Sequence, residues 1–387
     1  MPIINSIADM QAEMTAWRHD FHENPELLYE VQRTAGLVAE RLRAFGCDAV
    51  VEGVGRTGVV GVIHGKQRGA GRVMGLRADM DALPMSEATG LAHASRVPGK
   101  MHACGHDGHT SMLLGAAKYL CETRRFDGTA VVIFQPAEEG GAGGKAMVDD
   151  GMMERFGIQE VYGMHNWPGI PLGEFAIRPG PFFAATDVFD IHVTGKGAHA
   201  AKPNDGVDPT VMASQLVLAL QTIASRNADP VEALVVSVTS FETGSKAYNV
   251  IPETVHLKGT VRTLKPDLRD MAEARMGEIC AGIGAAMGGR ILLDYRRSYP
   301  VMANSAAQTE FAARVAEGIT PGVDRAAPLI MGGEDFAYML EARPGAYILA
   351  GNGDSAMVHH PKYDFNDALL PVGASYFARL VEEGMPV

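Results

Sequence analysis

The order of predicted strands and helices is the feature that most restricts the folds open to this chain. Apolar, strand-like runs at 57–64, 73–78, 129–134 and 160–165 alternate with segments of helical periodicity. Such alternation is typical of an α/β domain with a largely parallel sheet. From Asp187 onward the order becomes strand, helix, strand, strand, helix, strand, which is the ferredoxin-like unit with four antiparallel strands. We therefore predict an α/β domain interrupted by an inserted α+β domain.

The predicted domain bounds follow from this change of pattern. A chain of 387 residues is long enough for two domains. We place the main domain at 1–186 and 296–387 and the inserted domain at 187–295. The elements expected in the insertion are strands 187–194, 233–240, 254–263 and 290–299 and helices 209–225 and 268–287, and those expected after it are strands 329–331 and 346–350 and helix 367–383.

Composition excludes several classes of partner. The net charge of −12 argues against a nucleic-acid partner. No apolar run approaches ~20 residues, so we expect no membrane span. The first residues lack a basic segment followed by an apolar one, so we expect no secretory signal. The cysteines are far apart in the sequence and form no disulfide framework, which suits a reducing cytoplasm; they are Cys47, Cys104, Cys121 and Cys280.

The segment 101–110 contains one cysteine, three histidines and one aspartate within ten residues. Thiolate and imidazole are the donors that hold Zn²⁺ and its divalent neighbours. The segment follows a predicted strand and a loop, and it precedes an apolar helix at 111–120. Because α/β proteins place their chemistry in loops at the carboxyl ends of strands, this segment predicts a metal site.

Two pairs of carboxylates follow other predicted strands. Glu138 and Glu139 are adjacent at a strand end, where neighbouring side chains diverge. One could bind metal while the other serves as a general base toward water, which is the machinery of amide hydrolysis. Taken alone, this pair fits a solvated acidic loop better; beside Cys104 and the histidine two residues later, the metal-hydrolase interpretation is favoured. Asp79 and Asp81 are compatible with supporting a metal site or with a turn cap.

Taken together, these segments resemble the M20 family of metallopeptidases and aminoacylases. The closest branch is that of hippurate hydrolases, N-acyl-amino-acid deacetylases and plant auxin-conjugate hydrolases. The Cys-Gly-His-Asp and paired-glutamate signatures are the most specific parts of the match, which extends from about Trp17 to the C-terminus. The matching segments, in family order, are 79–84, 101–110, 135–140, 163–165, 197–200, 249–252, 332–336 and 359–361.

The resemblance implies two divalent metal ions per subunit, with Zn²⁺, Mn²⁺, Ni²⁺ and Co²⁺ as candidates. It also implies roles for individual residues, and several of these residues would not be singled out by composition alone. Glu138 matches the general base, and Asp81 matches the aspartate beside the metals. His199 matches a histidine that contributes to the active site, often that of the partner subunit, and Asn249 and Arg262 lie where residues of the lid meet substrate. The positions that match metal ligands are Cys104, His106, Glu139, His165 and His360.

One segment departs from the family pattern. Many relatives have Met-Pro-His after the histidine of the lid, whereas this chain has Lys202-Pro203-Asn204. The change does not affect the ligand positions. We expect it to influence substrate preference or the contact between subunits.

We predict a metal-dependent hydrolase that cleaves the amide bond of an N-acyl amino acid or a small related conjugate. The expected assembly is a homodimer, or a higher even-numbered assembly, formed through 187–295, because an open four-stranded sheet has edges that must be covered or paired. Two other classes stay open. A cysteine-nucleophile amidase using Cys104 should resist chelators but not thiol alkylation. A non-catalytic binding protein on this fold would normally have lost the base at Glu138.

Overall fold

The computed structural model describes residues 3–69 and 71–387, which form two compact units. The first contains the described residues of Met1–Gly180 together with Ala303–Pro328 and Asp335–Val387. The second contains Pro181–Met302 and Leu329–Glu334. The sequence-based bounds of the insertion, 187–295, stay a prediction.

Helices and strands are interspersed along the chain, often in groups of two or more of one kind. The helices are Asn5–Ala8 (α1), Gln11–Glu23 (α2), Gln32–Phe45 (α3), His106–Thr123 (α4), Gly143–Asp149 (α5), Met152–Arg155 (α6), Pro209–Thr222 (α7), Pro266–Met287 (α8), Ala306–Glu317 (α9), Ala337–Ala342 (α10) and Leu370–Gly384 (α11), with short 3-10 turns at Pro203–Asp205 and Asp367–Leu369 and a π turn at Ile223–Asn227. The strands are Ala49–Val54 (β1), Gly58–His64 (β2), Val73–Asp79 (β3), Thr129–Gln135 (β4), Glu160–Pro168 (β5), Phe175–Ala176 (β6), Gly180–Phe183 (β7), Ala185–Thr194 (β8), Ala198–His199 (β9), Leu234–Thr243 (β10), Val250–Ile251 (β11), Thr254–Thr263 (β12), Arg290–Arg297 (β13), Met302–Asn304 (β14), Val323–Asp324 (β15) and Gly345–Gly353 (β16).

The first unit is built on an eight-stranded sheet in the order β1-β2-β4-β3-β5-β16-β6-β15. The central ladders β4-β3, β3-β5 and β5-β16 are parallel. The prediction of an α/β fold with a mostly parallel sheet is confirmed. In the β3-β4 ladder Asp79 is paired with Gln135, so the loops that follow both strands leave from the same edge of the sheet. That edge is where polar side chains converge.

Helix α4 crosses the core of the first unit. Nearly all of its residues are buried, and it packs against α2, α3 and α11. A helix that is apolar on all sides must be covered on all sides to be stable. Its N-cap, Gly105, has φ +90°, a left-handed conformation that glycine adopts without strain. This turn sets the direction of the residues on either side of Gly105.

The second unit contains the antiparallel four-stranded sheet predicted from the sequence, in the order β10-β12-β8-β13. Helices α7 and α8 pack on this sheet around buried apolar side chains such as Leu216, Leu257 and Met276. The order β8-α7-β10-β12-α8-β13 is that of the ferredoxin-like unit. Strands β10 and β13 form the two edges of the sheet.

Two local expectations differ from the structure. The sequence does not predict strand β1, because all of its residues except the buried Val54 are half-buried or exposed and they lack a continuous apolar run. The strand expected at 329–331 is absent from the described residues, where Ile330 makes an isolated bridge to Phe183. An apolar run of three residues is thus too short to predict a strand reliably, since it also fits a single bridge.

Across the described ranges, 3–69 and 71–387, no helix is both long and apolar enough to cross a membrane.

Candidate metal centre

Three buried side chains from two segments of the chain meet at the carboxyl edge of the main sheet. The ligand atoms of Cys104, His106 and His165 lie within 4.8 Å of one another. The Sγ atom of Cys104 is 3.3 Å from Nε2 of His165. Thiolate and imidazole donors at this spacing are suited to a divalent ion of the zinc type.

The ring of His106 is oriented by a backbone carbonyl. Its Nδ1 atom donates a hydrogen bond of 2.8 Å to the carbonyl oxygen of Asp81. A carbonyl can only accept, so Nδ1 carries a proton, and in the neutral ring, which is the form that binds metal, the lone pair is on Nε2. This Nε2 atom is buried and has no hydrogen-bond partner. It is 4.0 Å from Oε1 of Glu139. A buried, unpaired imidazole nitrogen beside a carboxylate fits a metal ion.

His165 is oriented in the same way. Its Nδ1 atom donates to the carbonyl oxygen of Asn166 over 2.5 Å, which directs Nε2 toward Cys104. Burial lowers the pKa of His165, which keeps the ring neutral and able to act as a ligand. Fixing one ring nitrogen by hydrogen bonding so that the other can bind metal is the usual arrangement of metal-ligating histidines.

Asp81 holds the two glutamates. Its Oδ1 atom accepts from the backbone N–H of Glu138 at 2.9 Å, and its Oδ2 atom accepts from that of Glu139 at 3.1 Å. The carboxylate thus binds two consecutive backbone amides and makes neither of these bonds to a glutamate side chain. Ligand atoms of His106, Glu138 and Glu139 lie within 4.8 Å of one another. Glu138 is 8% exposed, which restricts the access of bulk water to its carboxylate.

The histidine beside Glu139 is His359, whereas the sequence-based assignment named His360. Nε2 of His359 is 3.2 Å from Oε1 of Glu139, and His359 forms a cluster with Cys104 and Glu139 within 4.8 Å. Its backbone N–H also donates to the carbonyl of Ala103 at 2.7 Å. Both histidines are exposed, but the Nδ1 atom of His360 accepts from the backbone N–H of Lys362 at 3.1 Å.

The backbone explains this difference between neighbours. His359 has φ +64°, a conformation that residues with a side chain adopt rarely and at a cost. The two consecutive rings therefore point in different directions. Strained residues of this kind are concentrated at functional sites. A sequence pattern does not report backbone angles. The His-His-Pro motif by itself therefore does not show which of the two rings binds metal, and the assignment to His360 came from the resemblance alone.

Electrostatics at the site favour binding of a cation. Burial alone would favour the neutral form of His106, but Asp79 and the contact with Asp81 outweigh it and raise the pKa of His106 to about 10. Burial and the neighbouring glutamates raise the pKa of the Cys104 thiol. Burial also raises the pKa of Asp81. Several buried acidic groups thus converge on one point, where a divalent ion would compensate their charge.

A second layer of buried polar residues includes Asp79, for which the sequence had already suggested a supporting role, and His109 and Arg77, for which it had suggested no separate role. His109 donates from Nδ1 to Oδ1 of Asp79 at 2.6 Å, and its Nε2 atom accepts from the backbone N–H of Asn166 at 2.9 Å. Both ring nitrogens of His109 are therefore occupied, and it is a supporting residue. Asp79 also binds the guanidinium of Arg77 at 2.7 Å, and this charge, despite burial, holds the pKa of Asp79 well below its usual range.

The remaining predicted site residues lie in the second unit. In the β9-β11 ladder, His199 is paired with Val250, and the carbonyl of Asn249 accepts from the backbone N–H of Ala200 at 3.0 Å. His199 and Asn249 are thus neighbours, and both are exposed. Arg262 lies on β12 and donates to the carbonyl of Val261 at 3.1 Å. Their roles in catalysis stay predictions.

Comparison with known proteins gives consistent matches over nearly the whole chain. The family model described as Peptidase family M20/M25/M40 matches residues 75–383. A hippurate hydrolase of Campylobacter jejuni is 41% identical over 382 residues, covering 98% of this chain and 98% of that protein. An N-acetyl-L-cysteine deacetylase of Bacillus subtilis is 38% identical, covering 96% of this chain and 88% of that protein.

Two solved structures share the fold. A putative aminohydrolase from methicillin-resistant Staphylococcus aureus superposes with a TM-score of 0.92 at 33% identity, covering 99% of each chain. A dinuclear metal-binding peptidase of the M20 family from Bacillus subtilis gives a TM-score of 0.86 at 32% identity, covering 98% of this chain and 99% of the other.

Proposed function

The chain belongs to peptidase family M20/M25/M40 and is a metal-dependent amide hydrolase, and on this premise we propose that its substrates are N-acyl amino acids or small amino-acid conjugates. The observation that carries the proposal is the placement of Glu138 beside His106 and Glu139. A buried carboxylate next to a cluster of metal-binding donors is the arrangement that hydrolysis of an unactivated amide requires. The names of the hippurate hydrolase and N-acetyl-L-cysteine deacetylase relatives support this substrate class.

We assign the metal ligands from the donor set. The unpaired Nε2 of His106 and the Nε2 of His165 supply two nitrogen donors, and Cys104 supplies a thiolate. Glu139 and His359 complete the set, with His359 in place of His360. The relative described as dinuclear supports two ions per subunit. When bound, divalent metal polarises the scissile carbonyl and lowers the pKa of water toward neutrality.

Glu138 is the general base in this proposal. Its carboxylate accepts a proton from the attacking water, and the same group then donates that proton to the departing amine. Asp81 positions Glu138 because it holds the backbone of both glutamates. His199 would supply a hydrogen bond to the developing oxyanion, and loss of such a donor typically costs about 3–4 kcal/mol of transition-state stabilisation. Asn249 and Arg262 are proposed to contact substrate.

The assembly is proposed to be a homodimer formed through the second unit. Strands β10 and β13 are the edges of its sheet, and edge strands with unpaired backbone groups are normally covered or paired. Pairing about a two-fold axis is the commonest solution in homo-oligomers. We place the protein in the cytoplasm, where reducing conditions keep thiols available to bind metal.

The geometry argues against a cysteine-nucleophile amidase. Cys104 lies beside His165, as such an enzyme requires. However, burial raises the pKa of Cys104 and lowers that of His165, so without metal the pair is a neutral thiol and a neutral imidazole. A nucleophilic cysteine needs a depressed pKa. A protein that only binds its ligand needs no general base, whereas the carboxylate of Glu138 is buried beside the metal-binding donors.

The test is an activity screen on metal-free protein reconstituted with Zn²⁺, Mn²⁺, Ni²⁺ or Co²⁺. The substrates are N-acetyl, N-benzoyl and longer N-acyl amino acids, with the corresponding methyl esters of the amino acid as controls for recognition of the carboxylate. We expect hydrolysis that chelation abolishes and added metal restores. Full activity in metal-free protein, or no hydrolysis of any N-acyl amino acid by loaded protein, would contradict the proposal.

A further inference from the structure

Cys47 and Cys121 lie side by side in the first unit although they are 74 residues apart in the sequence. Their Sγ atoms are separated by 3.5 Å. Cys47 directly follows Gly46, the residue that ends α3, and Cys121 lies in the last turns of α4. Cys47 is half-buried and Cys121 is buried. The spacing of the cysteines in the sequence, from which we expected no disulfide framework, does not reveal this pair, because its members belong to different elements.

We propose that Cys47 and Cys121 are a reversible dithiol–disulfide site that hydroperoxides oxidise. A disulfide bond is about 2.05 Å long, so the two sulfur atoms must approach by about 1.5 Å. The two sulfur atoms are thus already in contact in the reduced protein.

A fixed positive charge supports the chemistry. Arg124 donates from Nη1 to Asp48 at 2.7 Å and from Nη2 to the carbonyl of Gly46 at 2.8 Å. These bonds hold the guanidinium beside the segment that contains Cys47. The hydrogen bond from Cys47, together with Arg124 and against the effect of burial, lowers the pKa of Cys121. Thiolate is the form that attacks peroxides, so this environment favours oxidation.

The reaction balances with one hydroperoxide per disulfide. The Cys121 thiolate attacks the peroxide, the O–O bond breaks, and Cys121 becomes a sulfenic acid as an alcohol or water leaves. The Cys47 sulfur then attacks the Cys121 sulfur, and the sulfenic oxygen leaves as water with the second thiol proton. The two thiols lose two electrons in total, and the peroxide gains them.

The pair is separate from the metal centre. Cys121 is 15 residues beyond His106 in α4, or about 22 Å along the helix axis. Cys280 provides a matched control, because it is buried in the second unit and burial raises its pKa to about 11. Among the cysteines, which all fall within the described residues, it is neither paired nor assigned to the metal.

The test treats metal-loaded, full-length protein with hydrogen peroxide, blocks the remaining thiols, and maps peptides without reduction. We expect a Cys47–Cys121 cross-linked peptide, a loss of two hydrogen atoms in the intact mass, and recovery of both thiols with dithiothreitol. C280S should form the same cross-link. C47S should form none and leave on Cys121 a sulfenic acid that dimedone traps. A wild-type protein without this cross-link, or oxidised directly to sulfinic acid at either residue, would overturn the proposal.

Discussion

The side-chain amide of Asn166 donates a hydrogen bond of 2.6 Å to the carbonyl oxygen of Cys104. The Oδ1 atom of the same amide accepts from the hydroxyl of Tyr363 at 2.6 Å. The approach is so close that a Cβ atom at Gly105 would lie 2.2 Å from Nδ2 of Asn166. Asn166 is also the neighbour of His165. One buried amide therefore fixes the loop containing Cys104 against the strand containing His165.

Asn166→Ala should weaken metal binding by roughly 10- to 100-fold, the range typical of residues that orient ligands. The physical reason is that the loop containing Cys104 loses its contact with β5. Affinity is measured by chelator competition, and the thiolate-to-Co²⁺ absorption band reports ligation by Cys104. Asn304→Ala is a matched control, because Asn304 is also buried and donates to the carbonyls of Arg178 and Tyr347, at 2.9 Å each. Equal metal affinities in the two variants would contradict the assigned role.

His359→Ala should lose one metal ion, and His360→Ala should keep the full complement. Of these two histidines, His359 contacts Glu139, whereas His360 accepts a hydrogen bond from the backbone N–H of Lys362. Metal content after dialysis, measured by elemental analysis, checks the prediction. His360→Ala is the control for the general effect of a substitution in this loop. Loss of metal in His360→Ala alone would restore the sequence-based assignment.

Glu138→Gln should retain metal but reduce turnover by a factor of about 10² or more, as expected for a lost general base. Glu139→Gln should instead reduce metal affinity. Both variants keep the bonds to Asp81, which involve backbone amides only. Turnover and metal content are measured on the same samples. Normal turnover in metal-loaded Glu138→Gln would place the base elsewhere.

The stability of the protein should fall as the pH rises through about 9, owing to His22. Its Nδ1 atom is 2.8 Å from Asp107 and its Nε2 atom is 3.3 Å from Glu87. Against the effect of burial, these carboxylates raise the pKa of His22 to about 9. Because the folded-state pKa is above the unfolded one, the stabilisation is complete below pH ~6.5 and is lost as the pH rises through the folded-state value.

The shift of the pKa of His22 from 6.5 to about 9 corresponds to a contribution on the order of 3 kcal/mol to the free energy of unfolding. Tm measured from pH 6 to pH 10 should therefore decline less steeply in His22→Gln than in the wild type. His64→Gln is the control, because Nδ1 of His64 lies 3.0 Å from the hydroxyl of Thr129, which is a neutral partner. Identical pH profiles for wild type and His22→Gln would rule out this contribution.

Mixed dimers test whether subunits share active sites. If His199 acts in the site of the partner, a His199→Ala chain combined with a Glu138→Gln chain forms one intact site per heterodimer. Part of the activity should then return, although each variant is inactive alone. Heterodimers isolated with two affinity tags are assayed directly. No recovery would place His199 in the site of its own subunit or outside catalysis.

The sequence by itself determined the order of the main elements and the chemical nature of the site. Periodicity is local, so it predicted the parallel α/β sheet and the insertion of strands β8, β10, β12 and β13. Donor chemistry is also local, so the ten residues around Cys104 indicate a metal site by themselves. The tertiary structure decided which donors meet. A positive φ turns His359 toward Glu139, and long-range hydrogen bonds occupy both nitrogens of His109. The Cys47–Cys121 contact arises in the same way, because the direction of a side chain depends on backbone angles and on packing between elements distant in sequence.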